Sequence, residues 1–210
     1  MQALASVDIA IKRSHTNGTT AHLRRRNGQA MSARLALRSA THDIHERMHH
    51  HPALARLAAG TIGRDEYCRV LARSYGFYIM AEPALGLGGK LTDCLVADMT
   101  ELGMTPAAIA ALPRCTNLGC VQEHSALIGA RYVVIGASLG GKVMARAIMG
   151  WTGGDGALPV RFLTGMSEND WKAFASGLET HLPDSASRSR AAKAATAMFA
   201  AYENWMAWDE

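Results

Sequence analysis

From residue 33 onward, apolar side chains recur every three or four positions, the period of amphipathic helices. Leu37, Ile44 and Met48 share one stripe and predict a first helix from Ala33 to His50, because Pro52 disfavours helix in the residue before it. After "AAGTIG", a second stripe of Tyr67, Val70, Leu71, Ser74, Tyr75 and Tyr78 predicts a helix that runs to Pro83. A third covers Gly89 to Leu102 and ends at Gly103, and Pro106 and Pro113 bracket a short helical turn. The stretch "VQEHSALIGARYVVIGASLGGKVMARAIM" reads as one long helix interrupted by Gly136, Gly140 and Gly141. "GWTGGDGALP" is a loop, and "SEND" at 167–170 has the form of a capping box that opens another helix. A last helix starts near Asp184, a suitable N-cap, and carries Ala194, Ala197, Met198, Ala201, Tyr202 and Trp205 on one side. The β-branched cluster "YVVIG" lies inside an Ala- and Leu-rich helical pattern, so the predicted fold class is all-α, with no internal repeat.

Composition narrows this picture to one domain. The 210 residues are 49% hydrophobic and 19% charged, enough to bury a sizeable core. Residues 1–30 mix Ser, Thr, Asn, Gly and Arg and are expected to form a disordered tail, which leaves 31–210 as the helical domain. That tail lacks the apolar segment of a secretory signal, and no apolar run approaches the roughly 20 residues that span a bilayer. The net charge of +4 is mildly basic and includes Arg24, Arg25 and Arg26. Without a broad basic face broken by aromatics, it suits an anionic small ligand better than nucleic acid. Cys68, Cys94, Cys115 and Cys120 have neither CxxC spacing nor the density of a disulfide scaffold, and read as reduced packing thiols of a cytoplasmic protein.

Chemistry concentrates in two places. "THDIHERMHHHP", residues 41–52, holds His42, His45, His49, His50 and His51. On a helical wheel Arg38, His42, His45 and His49 lie near one line beside the Leu37, Ile44 and Met48 face, which sets His45 at the seam. His45 and His49 at i and i+4 can chelate zinc, but Glu46 and Asp43 are expected elsewhere on the wheel and no nearby motif supplies a third ligand. His49, His50 and His51 read more simply as a solvated helix end, where imidazolium suits the dipole.

The second place is "GASLGG", which follows no strand and so is not a phosphate-binding loop. Each interior glycine costs about 0.5–1 kcal/mol relative to alanine. Missing side chains let a flat ligand or diatomic gas approach a helix backbone, and close helix packing would explain them as well. Together the two elements suggest a slot between a histidine-bearing helix and a glycine-opened one. Arg38 precedes His45 by two turns, about 10.5 Å of rise, a separation that places a cation near the carboxylates of a haem whose iron His45 binds.

The stretches "LRSATHDIHERM", "YGFYIMAEPAL", "LVADMTELGM", "LPRC", "GARYVVIGASLGGKVMARAI" and "WKAFASGL" occur in an order and at separations that resemble the haem oxygenase superfamily. The closest likeness is to the bacterial branch that accompanies bacteriophytochromes, and it covers roughly residues 33 to 208. The resemblance implies a single-domain haem oxygenase-like helical bundle, with haem between a proximal helix, here the first, and a glycine-bent distal helix. It implies oxidative cleavage of haem, both substrate and cofactor, to biliverdin, carbon monoxide and ferrous iron. Electrons would come from an external reductase or ferredoxin-type donor, and a bacteriophytochrome is an implied partner; neither nucleic acid nor a membrane is.

By the same resemblance His45 is the iron ligand, and Arg38 holds the haem propionates. Arg131, Tyr132, Lys172 and Gly141 are further haem contacts. Gly136 and Gly140 leave room for dioxygen and steer it toward a meso carbon. Many relatives carry a carboxylate or serine just after the first distal glycine, and bacterial relatives often carry Glu just before it. Here those positions are Ala137 and Ile135, and Ser138, the residue to replace the lost group, points elsewhere on a regular helix. The alternatives are a non-catalytic haem- or tetrapyrrole-binding protein with the same fold, and a related helical fold that binds another small molecule with His45 buried structurally.

Overall fold

The computed structural model describes residues 31–119, 121–149 and 157–207. The expected tail at 1–30, Cys120 and most of the "GWTGGDGALP" loop lie outside them. Every regular element among the described residues is a helix, as the periodicity predicts.

Helix α1 (Ala33–His49) starts at Ser32, whose side chain accepts from the Leu35 N–H, and buries Ala33, Ala36, Leu37, Thr41, Ile44 and Met48. These positions recur at three- and four-residue steps and form a single stripe. The one polar member, Thr41, donates its hydroxyl to the Leu37 carbonyl at 2.9 Å, which satisfies it inside the helix. Pro52 ends the first helix and opens α2 (Pro52–Ala59), which the pattern did not predict. Proline at the first helical position costs nothing, because that N–H has no helical partner anyway. Gly60 closes α2 in the left-handed region at φ 71°, and a Cβ there would lie 2.5 Å from the Ala147 carbonyl oxygen.

Helix α3 (Arg64–Ala84) and α4 (Lys90–Glu101) form a hairpin joined by a buried carboxylate. Glu82, 2% exposed, accepts from the backbone N–H groups of Leu91 and Thr92 and from the Thr92 hydroxyl, and so caps α4 from outside. The short α5 (Pro106–Ala110) follows, capped by Thr105.

The central element is α6 (His124–Ile148), which runs unbroken through Gly136, Gly140 and Gly141. It is 25 residues long with a hydropathy of 1.3 over its most apolar stretch, so by length and composition it could cross a membrane, contrary to the expectation that no segment approaches that size. Here it packs against α2 and against the elements that follow it: α7 (Arg161–Thr164), α8 (Glu168–Ser176), α9 (Leu178–His181) and α10 (Ser185–Met206). A helix with neighbours on several sides is apolar on several sides.

Capping boxes open α8 at Ser167 and α10 at Asp184, both at the predicted starts. Helix α10 is the common support. It packs against α6 along one side and α1 along another. At its crossing with α6, a Cβ on Gly129 would meet the Ala191 carbonyl oxygen at 1.9 Å, so the two backbones touch. Around Ala33, Leu37, Ile128, Leu178, Leu182, Ala191 and Ala195, α1, α6, α9 and α10 share one apolar cluster. Beyond it a cavity opens.

Candidate functional site

The cavity has a volume of about 270 Å³ and is walled by α1, α2, α3, α6 and α10, with the α7–α8 segment at one end. Its lining is mostly apolar. Glu46 is the one carboxylate among the described lining residues, against the guanidinium groups of Arg34 and Arg38. A mainly hydrophobic wall with a few convergent polar groups is the ordinary make-up of a small-molecule site, and this one favours an anion.

His45 lies on this wall, and its side chain is 41% exposed. Its Nδ1 stands 3.2 Å from His49 Nε2 and 3.7 Å from Glu46 Oε1, and the rings of His45 and His49 meet edge to face at 4.4 Å. Phe199 from α10 approaches the His45 ring at 6.2 Å. Burial, and next the neighbouring His49, hold the His45 imidazole below its ordinary value of 6.5, while Glu46 pulls the other way. The ring is therefore neutral at pH 7, with Nδ1 occupied and Nε2 without a partner among the described residues.

Two histidines expected to be bystanders are not. His49 is half-buried and orients His45, and His51 Nε2 reaches the Met206 carbonyl at 3.0 Å, tying the α1–α2 corner to the end of α10. His50 alone of the three is exposed. Glu46, expected elsewhere on the wheel, curls back to His45. A carboxylate on a rotatable stem covers more of the helix surface than its Cα direction suggests.

Arg38 lines the cavity, joined by Arg34, which stands over the Trp171 ring at 5.7 Å. Tyr132 packs on the same indole at 5.6 Å. Burial pushes its phenol up, and the positive charges of Arg34 and Arg38 draw it partly back, so both arginines lie within electrostatic reach of that hydroxyl. This cationic, aromatic end is where anionic groups of a ligand would settle. Pairing of α1 with α8 through Arg34 and Trp171 has no local sequence signal, since only the tertiary fold brings them together. The same holds for the hydroxyls of Ser74 and Tyr202, 3.4 Å apart on the α3–α10 side of the cavity.

Gly136, Gly140 and Gly141 of α6 all line the cavity and differ in what faces them. A Cβ at Gly140 would meet nothing within 4 Å, so this backbone is open. At Gly136 the Trp171 ring lies 3.4 Å away, an ordinary contact. At Gly141 the Leu163 carbonyl oxygen lies at 2.5 Å, and the glycine is required by the close passage of α7.

Ser138, expected to point elsewhere, also lines the cavity: it is buried with its hydroxyl unpartnered, about 160° round the helix from Gly136. Arg131 lies about 140° from Gly136 and donates its Nε–H to the Leu85 carbonyl at 2.7 Å, outside the cavity lining. Lys172 is 67% exposed, pairs with Glu168 at 3.1 Å and is also outside it. Thus the fold gathers His45, Arg38, Tyr132, Ser138 and the three predicted glycines on one cavity and leaves Arg131 and Lys172 apart. Ala137 is exposed and Ile135 is buried, and neither offers a polar atom beside Gly136.

No family model matches the chain, and no curated protein matches it.

Proposed function

We propose that this protein is a haem oxygenase, which holds haem between α1 and α6 and opens it to biliverdin, carbon monoxide and ferrous iron with dioxygen and electrons from an external reductant. The observation that carries this reading is His45: a neutral imidazole on the cavity wall, with Nδ1 engaged by His49 and Nε2 left over as a ligand atom. A metal-binding histidine typically has its other ring nitrogen fixed in this way.

The residues around the cavity suit haem in other respects. Arg34 and Arg38 would bind two carboxylates at one end, and the apolar walls contributed by Leu54, Leu57, Val133 and Met144 would exclude water from a macrocycle. The open backbone at Gly140 leaves space beside α6 for a small gas. Bound haem would supply the iron that activates dioxygen. His49 and Glu46 hold the His45 ring in place, and Trp171 shields Gly136 from solvent on the α8 side.

A second reading, a non-catalytic haem- or tetrapyrrole-binding protein, is favoured by one specific observation. Beside Gly136 stand a methyl at Ala137 and an alkyl chain at Ile135, neither of which can order water, and the one hydroxyl of this stretch, that of Ser138 on the cavity lining, stands about 160° round the helix from Gly136.

One preparation separates the two. Purified protein with haemin and a reductant in air is expected to lose its Soret band as a biliverdin spectrum grows; loss of the band with no biliverdin refutes the oxygenase. Haemin that binds and survives repeated reduction supports the non-catalytic reading. His45→Ala is expected to abolish the axial-imidazole spectrum, and an unchanged spectrum would remove His45 as the ligand.

A further inference from the structure

Residues 45–49 read His-Glu-Arg-Met-His, the H-E-x-x-H pattern in which two histidines one turn apart face the same way on a helix. We propose that His45, His49 and Glu46 form a divalent metal site, of the class that takes Zn2+, at the mouth of the cavity. It neither uses nor requires haem.

Spacing is the first argument. A tetrahedral ion with ligand bonds of about 2.0–2.1 Å holds its ligand atoms about 3.3 Å apart. His45 Nδ1 and His49 Nε2 are separated by 3.2 Å, and Glu46 Oε1 lies 3.7 Å from the same Nδ1. All three ligand atoms lie within 4.8 Å of one another. The two ring nitrogens already face each other across a hydrogen bond, and for an ion to enter between them the shared proton would move to the outer nitrogen of the ring that carries it, so both imidazoles stay neutral.

Chemistry is the second. Two imidazoles and one carboxylate are a borderline nitrogen–oxygen set that suits zinc and its neighbours rather than calcium or magnesium. Glu46 is 54% exposed, so the fourth position faces water. In the hydrolase use of this pattern the glutamate works as a general base on metal-bound water. Here its oxygen sits against the His45 ring, within the chelate, and the site is assigned as a binding site only.

The ion takes Nδ1 of His45 and leaves Nε2 unused. The site is therefore complete in the haem-free protein, and its test does not depend on the oxygenase reading.

Calorimetric titration of the haem-free full chain with Zn2+ decides the matter, since histidines elsewhere in the chain cancel in comparison with variants. Wild type is expected to bind one equivalent that His49→Gln lacks, and Glu46→Gln is expected to bind it at least about tenfold more weakly. His42→Ala is expected to match wild type. Co2+ in place of Zn2+ is expected to give visible ligand-field absorption with wild type and not with His49→Gln. Because the Glu46 side chain is exposed, Glu46→Gln keeps the fold even where His49→Gln does not. A Glu46→Gln titration that overlays wild type, or loss of the ion in His42→Ala, overturns the site.

Discussion

An alanine methyl at position 140 would project into open space, whereas at position 141 it would sit 2.5 Å from the Leu163 carbonyl oxygen, a backbone atom with nowhere to go. Two adjacent glycines therefore predict opposite outcomes. Gly140→Ala is expected to keep or raise stability, by up to about 1 kcal/mol from helix propensity. Gly141→Ala is expected to cost about 1–3 kcal/mol through overpacking. Urea unfolding of the two variants checks this. From sequence Gly136, Gly140 and Gly141 look alike, because the pattern tells that side chains are missing and not what stands opposite. His45 was legible as the seam residue of α1, since the wheel depends only on helix geometry. The partnership of His45 with His49 and Glu46 was not, because it is settled by side-chain torsions.

At the scale of elements, the long helices α1, α3, α4, α6, α8 and α10 were legible because each spans enough turns to show a period or carries a strong cap. Helices α2, α7 and α9, of eight, four and four residues, are too short for periodicity to declare itself and exist by virtue of their neighbours. Helix α7 shows how. Asp98, fully buried on α4, accepts from the Arg161 and Phe162 N–H groups at 3.2 and 2.9 Å and from the Arg161 guanidinium at 3.1 Å. Asp98→Asn turns one of these acceptors into a donor facing donors, and is expected to cost about 1–3 kcal/mol and to loosen Phe162 and Leu163 at the cavity wall. Thermal unfolding with hydrogen exchange at Phe162 measures both.

Between elements, Arg47 on α1 holds Glu203 on α10 by two hydrogen bonds at 2.6 and 2.8 Å. That bond keeps the Glu203 carboxylate below its ordinary value of 4.5. The unfolded chain then takes up this proton first as pH falls, so the contribution is present above 4.5 and disappears through the lowered folded value. Glu203→Gln is expected to lower the melting temperature at neutral pH, with the gap to wild type closing in acid.

For the whole molecule, the all-helical class followed from the sequence alone, and so did the idea of a slot between the histidine helix and the glycine helix. The assembly of its far end did not. Arg34 and Trp171 are separated by most of the chain, and no period relates them. The positions of Arg131 and Lys172 were decided by which side of a helix they occupy, and both face away from the cavity. A cation close in sequence to a site is outside it as often as the helix turns it there.

The contact between Gly129 and the Ala191 backbone also acts as a fulcrum. Helices α1 and α6 both lean on α10, and from residue 129 to residue 140 the stiff rod of α6 extends about 16 Å. A single methyl at 129, 1.9 Å from the Ala191 oxygen, must lift the rod at its pivot and swing its far arm. Gly129→Ala is thus expected to change the gap across the cavity and weaken haemin binding in a titration, although residue 129 touches none of that space. The jaw width of this protein is set at the hinge end, by a hydrogen atom where any other residue would carry carbon.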